Sequence, residues 1–311
     1  MPLNISYDEI CSKFDRLVSN GIIVYQPSHT VAVTDNGMLF CFHVVEGLKK
    51  KPQAGEGLQI PSANSATVAD EANVHPKTFG PGSDLAYDHP DECITLVNGT
   101  HYLVINKFPV FRPMLLLLTT DSYRRQNESL DFADIDAAWS LVQGLERDHF
   151  AFFNCSELAG SSRAHKHLQV IPEPSLQEGY SEGFKFFPDY DPEEEATVPP
   201  FVHFLQRFRD LREGHITSSD QLLWVYQRLL QQTRESLKID QDPCPHNVVL
   251  TKRWIVIVPR TTKVFKGITS NAPGMLGSVY ISNHDQLRAW KEVGPTKALA
   301  ELGLSSSNSR K

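Results

Sequence analysis

The dipeptide Asn98-Gly99, which lies between two runs of β-branched and aromatic residues, constrains the fold of this chain more than any other feature. An Asn-Gly pair accommodates the positive φ angles of a two-residue turn, so it predicts a β-hairpin. A second pair, Asn36-Gly37, predicts another hairpin nearer the start. Hairpins join antiparallel strands, and we therefore expect an antiparallel sheet. The strands predicted around the two turns are 29–34, 38–45, 93–97 and 101–106.

Apolar spacing predicts the remaining elements. Ser6 followed three residues later by Glu9 has the pattern of a capping box, which begins a helix over about 7–20. Elsewhere, apolar residues three or four apart indicate helices, and short apolar or alternating runs indicate strands. Strands mixed with helices in this way indicate an α+β fold. The further strands predicted are 114–119, 150–154, 165–171, 248–250 and 254–258, and the further helices are 132–147, 200–212, 220–237, 284–293 and 296–302.

Changes in composition divide the chain. Residues 1–54 hold the first helix and hairpin. Residues 55–92 are dominated by Pro, Gly, Ser, Ala, Asn and Asp, which predicts a long, partly mobile loop or insertion. Residues 93–198 are expected to form the core, residues 199–304 a C-terminal domain, and residues 305–311 a mobile tail.

Charge and cysteine content narrow the classes of function. The chain has 30 Lys+Arg against 37 Asp+Glu, and its net charge of −7 argues against general electrostatic binding to nucleic acid. Its five cysteines are scattered without a C-x-x-C pair, which argues against a disulfide frame and predicts a reducing compartment, the cytoplasm first and the nucleus second. Neither a secretory leader nor an apolar run of the ~18–20 residues that cross a bilayer is visible, so no membrane partner is expected.

The H-x-H-x-Q pattern at 165–169 is the most informative polar motif. Residues two apart in a strand share a face, so His165, His167 and Gln169 are predicted to line up. An imidazole has a reference pKa of ~6.5, and one of its nitrogens can attack phosphorus when the other is held as a donor. A side-chain amide can donate to a phosphate oxygen. The small residues 160–162 just upstream can hold further phosphate oxygens through hydroxyl and backbone N–H groups.

Other interpretations of this motif stay open on the residues alone. An H-x-H pair on a strand is also a frequent pair of metal ligands or a polar surface pair. Glu173 follows His167 by six residues, which loosely resembles the double-stranded β-helix metal enzymes, although two spacings differ from their motif. A His-ligated metalloenzyme is therefore one alternative.

With its surroundings, H-x-H-x-Q resembles the motif of the histidine triad superfamily, because Asn154, Gly160, Ser161 and Ser162 precede it. It is similar in particular to the branch of galactose-1-phosphate uridylyltransferases and fungal ATP adenylyltransferases, also called diadenosine tetraphosphate phosphorylases, in which glutamine replaces the third histidine. The resemblance implies an antiparallel half-barrel sheet with flanking helices. Further segments similar to the adenylyltransferases are VEGLKKKPQ (45–53), VINKFPVFRPMLLLLT (104–119), NVVLTKRWIVIVPR (247–260) and SNAPGMLG (270–277).

This resemblance implies a nucleotidyltransferase in which His167 attacks the α-phosphorus of an adenine nucleotide. With inorganic phosphate as acceptor, diadenosine tetraphosphate would give ADP and ATP; with water, the chain would be a hydrolase. By the same resemblance, His165 would orient the phosphoryl group and Gln169 would steady it. The implied substrate contacts are Asn154, Gly160, Ser161, Ser162, Asn106, Lys107, Lys51, Asn271 and Gly274.

No resident metal or cofactor is expected, and Mg²⁺ would arrive only with the polyphosphate. A non-catalytic nucleotide sensor that kept the pocket is the second alternative from another class.

Overall fold

The computed structural model describes residues 5–50, 77–174, 180–190 and 198–306. The helices are α1 Tyr7–Ser19, α2 Phe132–Gly144, α3 Ser219–Leu237, α4 Ala272–Met275, α5 His284–Val293 and α6 Pro295–Leu302. The strands are β1 His29–Asp35, β2 Met38–Val44, β3 Lys77–Thr78, β4 Ala86–Tyr87, β5 Cys93–Val97, β6 His101–Ile105, β7 Leu115–Thr119, β8 His149–Cys155, β9 His167–Pro172, β10 Phe204–Arg207, β11 His246–Leu250, β12 Trp254–Pro259, β13 Val264–Phe265, β14 Ile268–Thr269 and β15 Ser278–Ile281.

An eight-stranded sheet in the order β10-β12-β11-β8-β9-β7-β6-β5 forms the centre of the molecule, and each neighbouring pair is antiparallel. The C-terminal strands join it through β11, which pairs with β8 and places Asn247 opposite Asn154. The predicted parts 93–198 and 199–304 therefore share one sheet. A smaller sheet, β1-β2-β15, contains a parallel pair between β2 and β15.

The two faces of the large sheet carry different layers, because side chains alternate along each strand. One face packs against α2 and α3 in a single apolar cluster, to which β9 contributes Leu168 and Val170. The other face belongs to separate clusters that involve the smaller sheet, the C-terminal helices and residues near Phe79. His167 and Gln169 alternate with Leu168 and Val170, so they belong to this second face.

Lys166 reaches the α2 side of the sheet and is fully buried. Its Nζ lies 2.6 Å from Asp134 Oδ2, at the beginning of α2, and donates to Ser129 O at 2.7 Å. His101 Nε2 lies 3.1 Å from the other carboxylate oxygen. Burial raises the pKa of Asp134, but the hydrogen bond from His101 and the charge of Lys166 outweigh it and hold that pKa well below its ordinary value.

Both predicted hairpins are confirmed, since β1 pairs with β2 around Asn36-Gly37 and β5 with β6 around Asn98-Gly99. All four turn residues have positive φ, as the two-residue turn requires. The predicted α+β class is confirmed as well. Among the described helices, none combines the length and the apolar character that a bilayer span needs.

The predicted helix over 200–212 is wrong. This segment forms β10, paired with β12, followed by a single helical turn at Phe208–Asp210. Phe204 packs against the cluster under α2 and α3, whereas its neighbour Leu205 packs against the cluster of the other face. Adjacent side chains point to opposite faces in a strand, and pairing with β12 therefore overrides the local helical periodicity.

The predicted loop over 55–92 is partly corrected. Residues 77–92 contain the short β3–β4 pair and a helical turn at Pro90–Glu92, and Phe79 packs on Val104 and Leu118 of the large sheet. The rest of that prediction, together with Lys51 and the end of the tail, lies outside the described residues. The sequence interpretation also missed α4, β13, β14 and β15, which are short and follow no long periodic run.

Candidate active site

A cavity of about 650 Å³ opens on the second face of the sheet, where the core strands meet the segment 263–280. It brings together most of the residues that the resemblance implied, although they are far apart in sequence. Those that line it are Asn106, Lys107, Asn154, Gly160, Ser161, Ser162, His167, Gln169, Asn271 and Gly274.

His167 lies at the start of β9 and is only 8% exposed, so a ligand reaches its ring through the cavity. Its Nδ1 lies 2.8 Å from the carbonyl oxygen of His165. A carbonyl can only accept, so Nδ1 carries the hydrogen and Nε2 carries the lone pair. Gln169, two residues along the strand, shares the face and also lines the cavity.

Gln126 fixes the backbone on both sides of this ring. Its Oε1 accepts from His167 N at 2.8 Å, and its Nε2 donates to His167 O at 3.0 Å and to Asn154 O at 3.2 Å. One buried amide thus ties β8 to β9 at the point where both strands face the cavity. No sequence pattern distinguishes Gln126, which stands alone in a polar loop.

His165 does not lie in the cavity, so the predicted row of three polar side chains on one face is wrong. The chain has not yet entered β9 at this residue, which makes only an isolated bridge to Arg125. The buried ring places Nε2 3.0 Å from Thr119 O and Nδ1 2.8 Å from Ser83 Oγ, and burial lowers its pKa. His165 therefore supports His167 through its carbonyl oxygen.

The same contacts bear on the metal alternative. Both ring nitrogens of His165 are engaged by Thr119 and Ser83, and His167 Nδ1 donates to a carbonyl, so the two rings do not converge on one point. Within the described ranges, no group of three or more His, Cys, Asp or Glu side chains could hold a metal ion.

The polar wall beside His167 combines Asn154 with two loops. Asn154 Oδ1 accepts from Asn247 Nδ2 and from Ala272 N, both at 2.8 Å, and no described residue accepts from Asn154 Nδ2, the donor left for a ligand. Gly160 has φ +89°, and a Cβ there would lie 2.5 Å from Ser270 O. The loop 160–162 can therefore press against the segment 270–274 only because residue 160 is glycine.

Asn271 and Gly274 close this wall. Asn271 Oδ1 accepts from Gly274 N at 3.1 Å and caps the short helix α4. A Cβ at Gly274 would lie 2.4 Å from Ser270 Oγ. Both residues line the cavity, so their capping role and their predicted contact with substrate are compatible.

Charged residues lie at the edge of the cavity next to the end of β6. Lys107 Nζ pairs with Asp88, and Asn106 Oδ1 accepts from Phe108 N at 3.0 Å. Glu92 also lines the cavity while only 1% exposed, and its Oε1 accepts from the backbone N–H groups of Asp88 and His89. Burial raises the pKa of Glu92 against these hydrogen bonds. The sequence interpretation missed Glu92 because it lies in the predicted insertion.

Most of the apolar lining falls into two groups that belong to different packing clusters. The first adjoins β9, since Leu118 pairs with His167 and Leu116 with Gln169. The first group is Phe79, Leu85, Val104, Leu116 and Leu118, and the second is Leu48, Val110, Met114, Val279 and Tyr280. Aromatic and aliphatic surfaces of this kind suit flat, largely apolar rings.

The N-terminal domain model of Ap4A phosphorylases matches residues 7–182, more than half of the chain. The chain belongs to the Ap4A phosphorylase family. The C-terminal domain model of ATP adenylyltransferases matches residues 197–305, so the two models together span most of this family member. The resemblance stated from the sequence is thereby confirmed.

Two curated relatives of this family member come from Saccharomyces cerevisiae. Diadenosine 5',5'''-P1,P4-tetraphosphate phosphorylase 2 is 26% identical, and the match covers 90% of this chain and 94% of the relative. Protein APA1 is 27% identical, with 89% and 86% covered.

Solved structures of yeast Ap4A phosphorylase Apa2 have the same fold. The complex with Ap4A superimposes with a TM-score of 0.71 at 22% identity and covers 98% of this chain and 99% of that one. The complex with AMP gives a TM-score of 0.72 at 21% identity, with 100% of both chains covered.

Proposed function

We propose that this member of the Ap4A phosphorylase family cleaves dinucleoside polyphosphates with inorganic phosphate and converts diadenosine tetraphosphate into ADP and ATP. The observation that carries the proposal is the His167 ring, which lines the cavity and whose Nδ1–H donates to the His165 carbonyl, an arrangement that assigns the nucleophilic lone pair to Nε2. The curated yeast relative named as a diadenosine tetraphosphate phosphorylase, matched over most of both chains, supports the choice of substrate.

In the first step, His167 Nε2 attacks the α-phosphorus, the phosphorus bound to the 5'-oxygen of one of the two adenosines. The N–P bond forms as the bond from that phosphorus to the bridging oxygen breaks, and the electron pair leaves with ATP. The ring gains positive charge in this step, and the hydrogen bond from Nδ1–H to the His165 carbonyl oxygen stabilises it. Gln169, on the same face of β9, donates to a non-bridging phosphate oxygen.

In the second step, an oxygen of inorganic phosphate attacks the same phosphorus. The N–P bond breaks, the electron pair returns to Nε2, and ADP leaves. The two steps sum to diadenosine tetraphosphate plus phosphate giving ADP plus ATP. Because the covalent intermediate separates them, leaving group and acceptor can use the same polar wall in turn.

The division of the cavity lining supports a substrate with two nucleosides. The apolar group around Leu116 and Leu118 lies beside His167 and Gln169 and suits the adenosine whose phosphorus is attacked. The group around Met114 and Tyr280 suits the second nucleoside, and the polar residues between 154 and 162 suit the phosphates. We expect no resident cofactor, with Mg²⁺ entering only as part of the polyphosphate substrate, and action in the cytoplasm or nucleus.

Incubation of the purified protein with diadenosine tetraphosphate and ³²P-labelled phosphate tests the proposal. We expect ADP and ATP in equal amounts, with the label in the β-phosphate of ADP and none in ATP. AMP and ATP without incorporated label would make water the acceptor and the chain a hydrolase. Tight nucleotide binding without any product would favour the sensor interpretation.

A further inference from the structure

Arg260 follows β12 directly and is 1% exposed, and its guanidinium donates to neutral oxygens of the described residues. Its Nη1 donates to Asn247 Oδ1 at 2.7 Å and to Ser270 O at 2.9 Å, and its Nε donates to Leu302 O at 3.0 Å. Longer contacts reach Ala159 O at 3.2 Å and Thr262 O at 3.3 Å. Ser270 belongs to one of the two loops that form the polar wall of the cavity, and Ala159 directly precedes the other.

No carboxylate among the described residues forms an ion pair with Arg260. Transfer of an uncompensated charge into a protein interior has an effective penalty of several kcal/mol, and neutral dipoles offset only part of it. Burial lowers the pKa of Arg260 to about 9, so the guanidinium still carries its charge at neutral pH. The positive charge therefore lacks a counter-ion within the described protein, directly behind a wall that faces the cavity.

A chain of hydrogen bonds leads from this charge toward the cavity in one direction. Arg260 donates to Asn247 Oδ1, and Asn247 Nδ2 then donates to Asn154 Oδ1 at 2.8 Å. Each acceptor oxygen belongs to an amide whose nitrogen faces the next group, so the last donor is Asn154 Nδ2, on the cavity wall. Hydrogen bonds aligned in this way polarise one another. The arrangement suits an acceptor that carries negative charge.

We propose that Arg260 and Asn247 are positioning residues for the phosphates of the substrate, with Arg260 supplying the positive potential and Asn247 orienting the Asn154 amide as a donor. The counter-ion of Arg260 is the bound polyphosphate itself. This inference rests on the proposed function and extends it, because neither residue touches the cavity and the resemblance assigned no role to either.

Binding of three unreactive probes tests the inference by calorimetry: adenosine, AMP and inorganic tripolyphosphate. In Arg260→Met, which keeps the length of the side chain without its charge, we expect the affinity for tripolyphosphate to fall at least about tenfold. The affinity for AMP should fall less, and that for adenosine should change by less than about twofold. A purely structural role would weaken all three probes in parallel, and that result would overturn the inference.

Asn247→Asp makes the test sharper and guards against misfolding of the first variant. The aspartate is isosteric and gives Arg260 an ionic partner, but it removes the donor to Asn154. We expect a folded protein with tripolyphosphate affinity reduced at least about tenfold, whereas Arg260→Lys, which keeps the charge, should stay within about threefold of wild type. Unchanged tripolyphosphate affinity in Asn247→Asp would contradict the inference.

Arg253→Met is the matched control, because it removes the same charge near the opposite end of β12. Arg253 is paired with Glu173 and Asp189 and does not line the cavity. Tripolyphosphate affinity should stay within about twofold of wild type; an equal loss here would mean that only net charge matters and would refute a specific role for Arg260. The binding results also stand apart from turnover. A wild-type protein without phosphorolysis, but with selective loss of tripolyphosphate binding in the Arg260 variant, would reject the proposed function and keep this inference.

Discussion

Lys166 and Arg260 are two buried cations that the molecule handles in opposite ways. Lys166, 0% exposed, is neutralised by Asp134 on the side of the sheet that packs against α2. Arg260, 1% exposed, lies on the side of the cavity and donates only to neutral oxygens among the residues that the structure describes. The charge of Lys166 is neutralised within the protein, and this ion pair stabilises the fold. The charge of Arg260 is not neutralised there, and an anionic substrate can neutralise it.

The α2 side and the cavity side of the sheet also differ for two neighbours in sequence. Lys166 lies on the α2 side, and His167 lies on the cavity side. Changes on the α2 side should therefore alter stability and leave ligand selectivity unchanged, whereas changes on the cavity side should alter ligand binding or turnover. The following expectations test that division.

The largest effect on turnover is expected from His167→Ala. Removal of the nucleophile should reduce the rate of phosphorolysis by at least about 10⁴-fold, because no other group takes over the covalent step. The free energy of unfolding in urea should change by no more than about 1 kcal/mol, since the ring lines a cavity. Retention of even a tenth of the wild-type rate would exclude His167 as the nucleophile.

Asp134→Asn should have the largest effect on stability. It leaves Lys166 buried without a negative partner, which costs about 3–5 kcal/mol of unfolding free energy. The ratio of tripolyphosphate affinity to adenosine affinity should remain that of wild type. A variant that is as stable as wild type, or one with altered charge selectivity, would break the proposed division between the two faces.

Gln169→Ala should slow phosphorolysis by about 100- to 1,000-fold, the effect of losing one donor to a transition-state oxygen, or about 2.7–4 kcal/mol. The reduction should fall on kcat more than on KM, because the interaction strengthens as the phosphorus is attacked. Steady-state kinetics measure both quantities, and an unchanged kcat would remove Gln169 from the mechanism.

Gln126→Met should cost about 1–3 kcal/mol of stability, because the backbone groups of His167 and Asn154 lose their partners. We also expect kcat to fall by about tenfold, since the His167 ring and the Asn154 amide are no longer held in fixed positions relative to each other. A variant that is less stable and yet fully active at a temperature where it is folded would show that Gln126 contributes to stability and not to catalysis.

The smallest effect expected is a pH dependence of the Asp134 contribution. The pKa of Asp134 is held below the ordinary value of about 3.9, so its stabilisation is complete above that pH and is lost as the pH falls toward the depressed value. The difference in unfolding free energy between wild type and Asp134→Asn should therefore be constant from pH 7 to about pH 5 and shrink below about pH 4. A difference that grows in acid would have the wrong sign.

Local signals made part of this molecule predictable. The Asn36-Gly37 and Asn98-Gly99 turns depend on the φ angles of two residues, and the side-chain period of β9 placed His167 and Gln169 on one face. The segment 200–212 was not predictable, because Phe204 and Leu205 satisfy a helical pattern as well as a strand and only pairing with β12 decides between them.

The supporting residues of the site could not be predicted for a related reason. Gln126 acts on the backbone of a residue 41 positions away, and Ala272 N donates to a side chain 118 positions away. Such contacts follow from the tertiary fold and leave no spacing in the sequence. His165 was predicted to share a face with His167 and Gln169. That prediction failed because the alternation of side chains applies only within a strand, and β9 begins after His165.

Rapid quenching of the protein with diadenosine tetraphosphate in the absence of phosphate, followed by mass spectrometry of its peptides, tests the central claim most directly. We expect one acid-labile adenylyl group, attached to His167, which appears as ATP is released and disappears into ADP when phosphate is added. Release of ADP and ATP at the full rate in the presence of phosphate, with no adenylyl group on His167 at any time after mixing, would contradict the covalent mechanism.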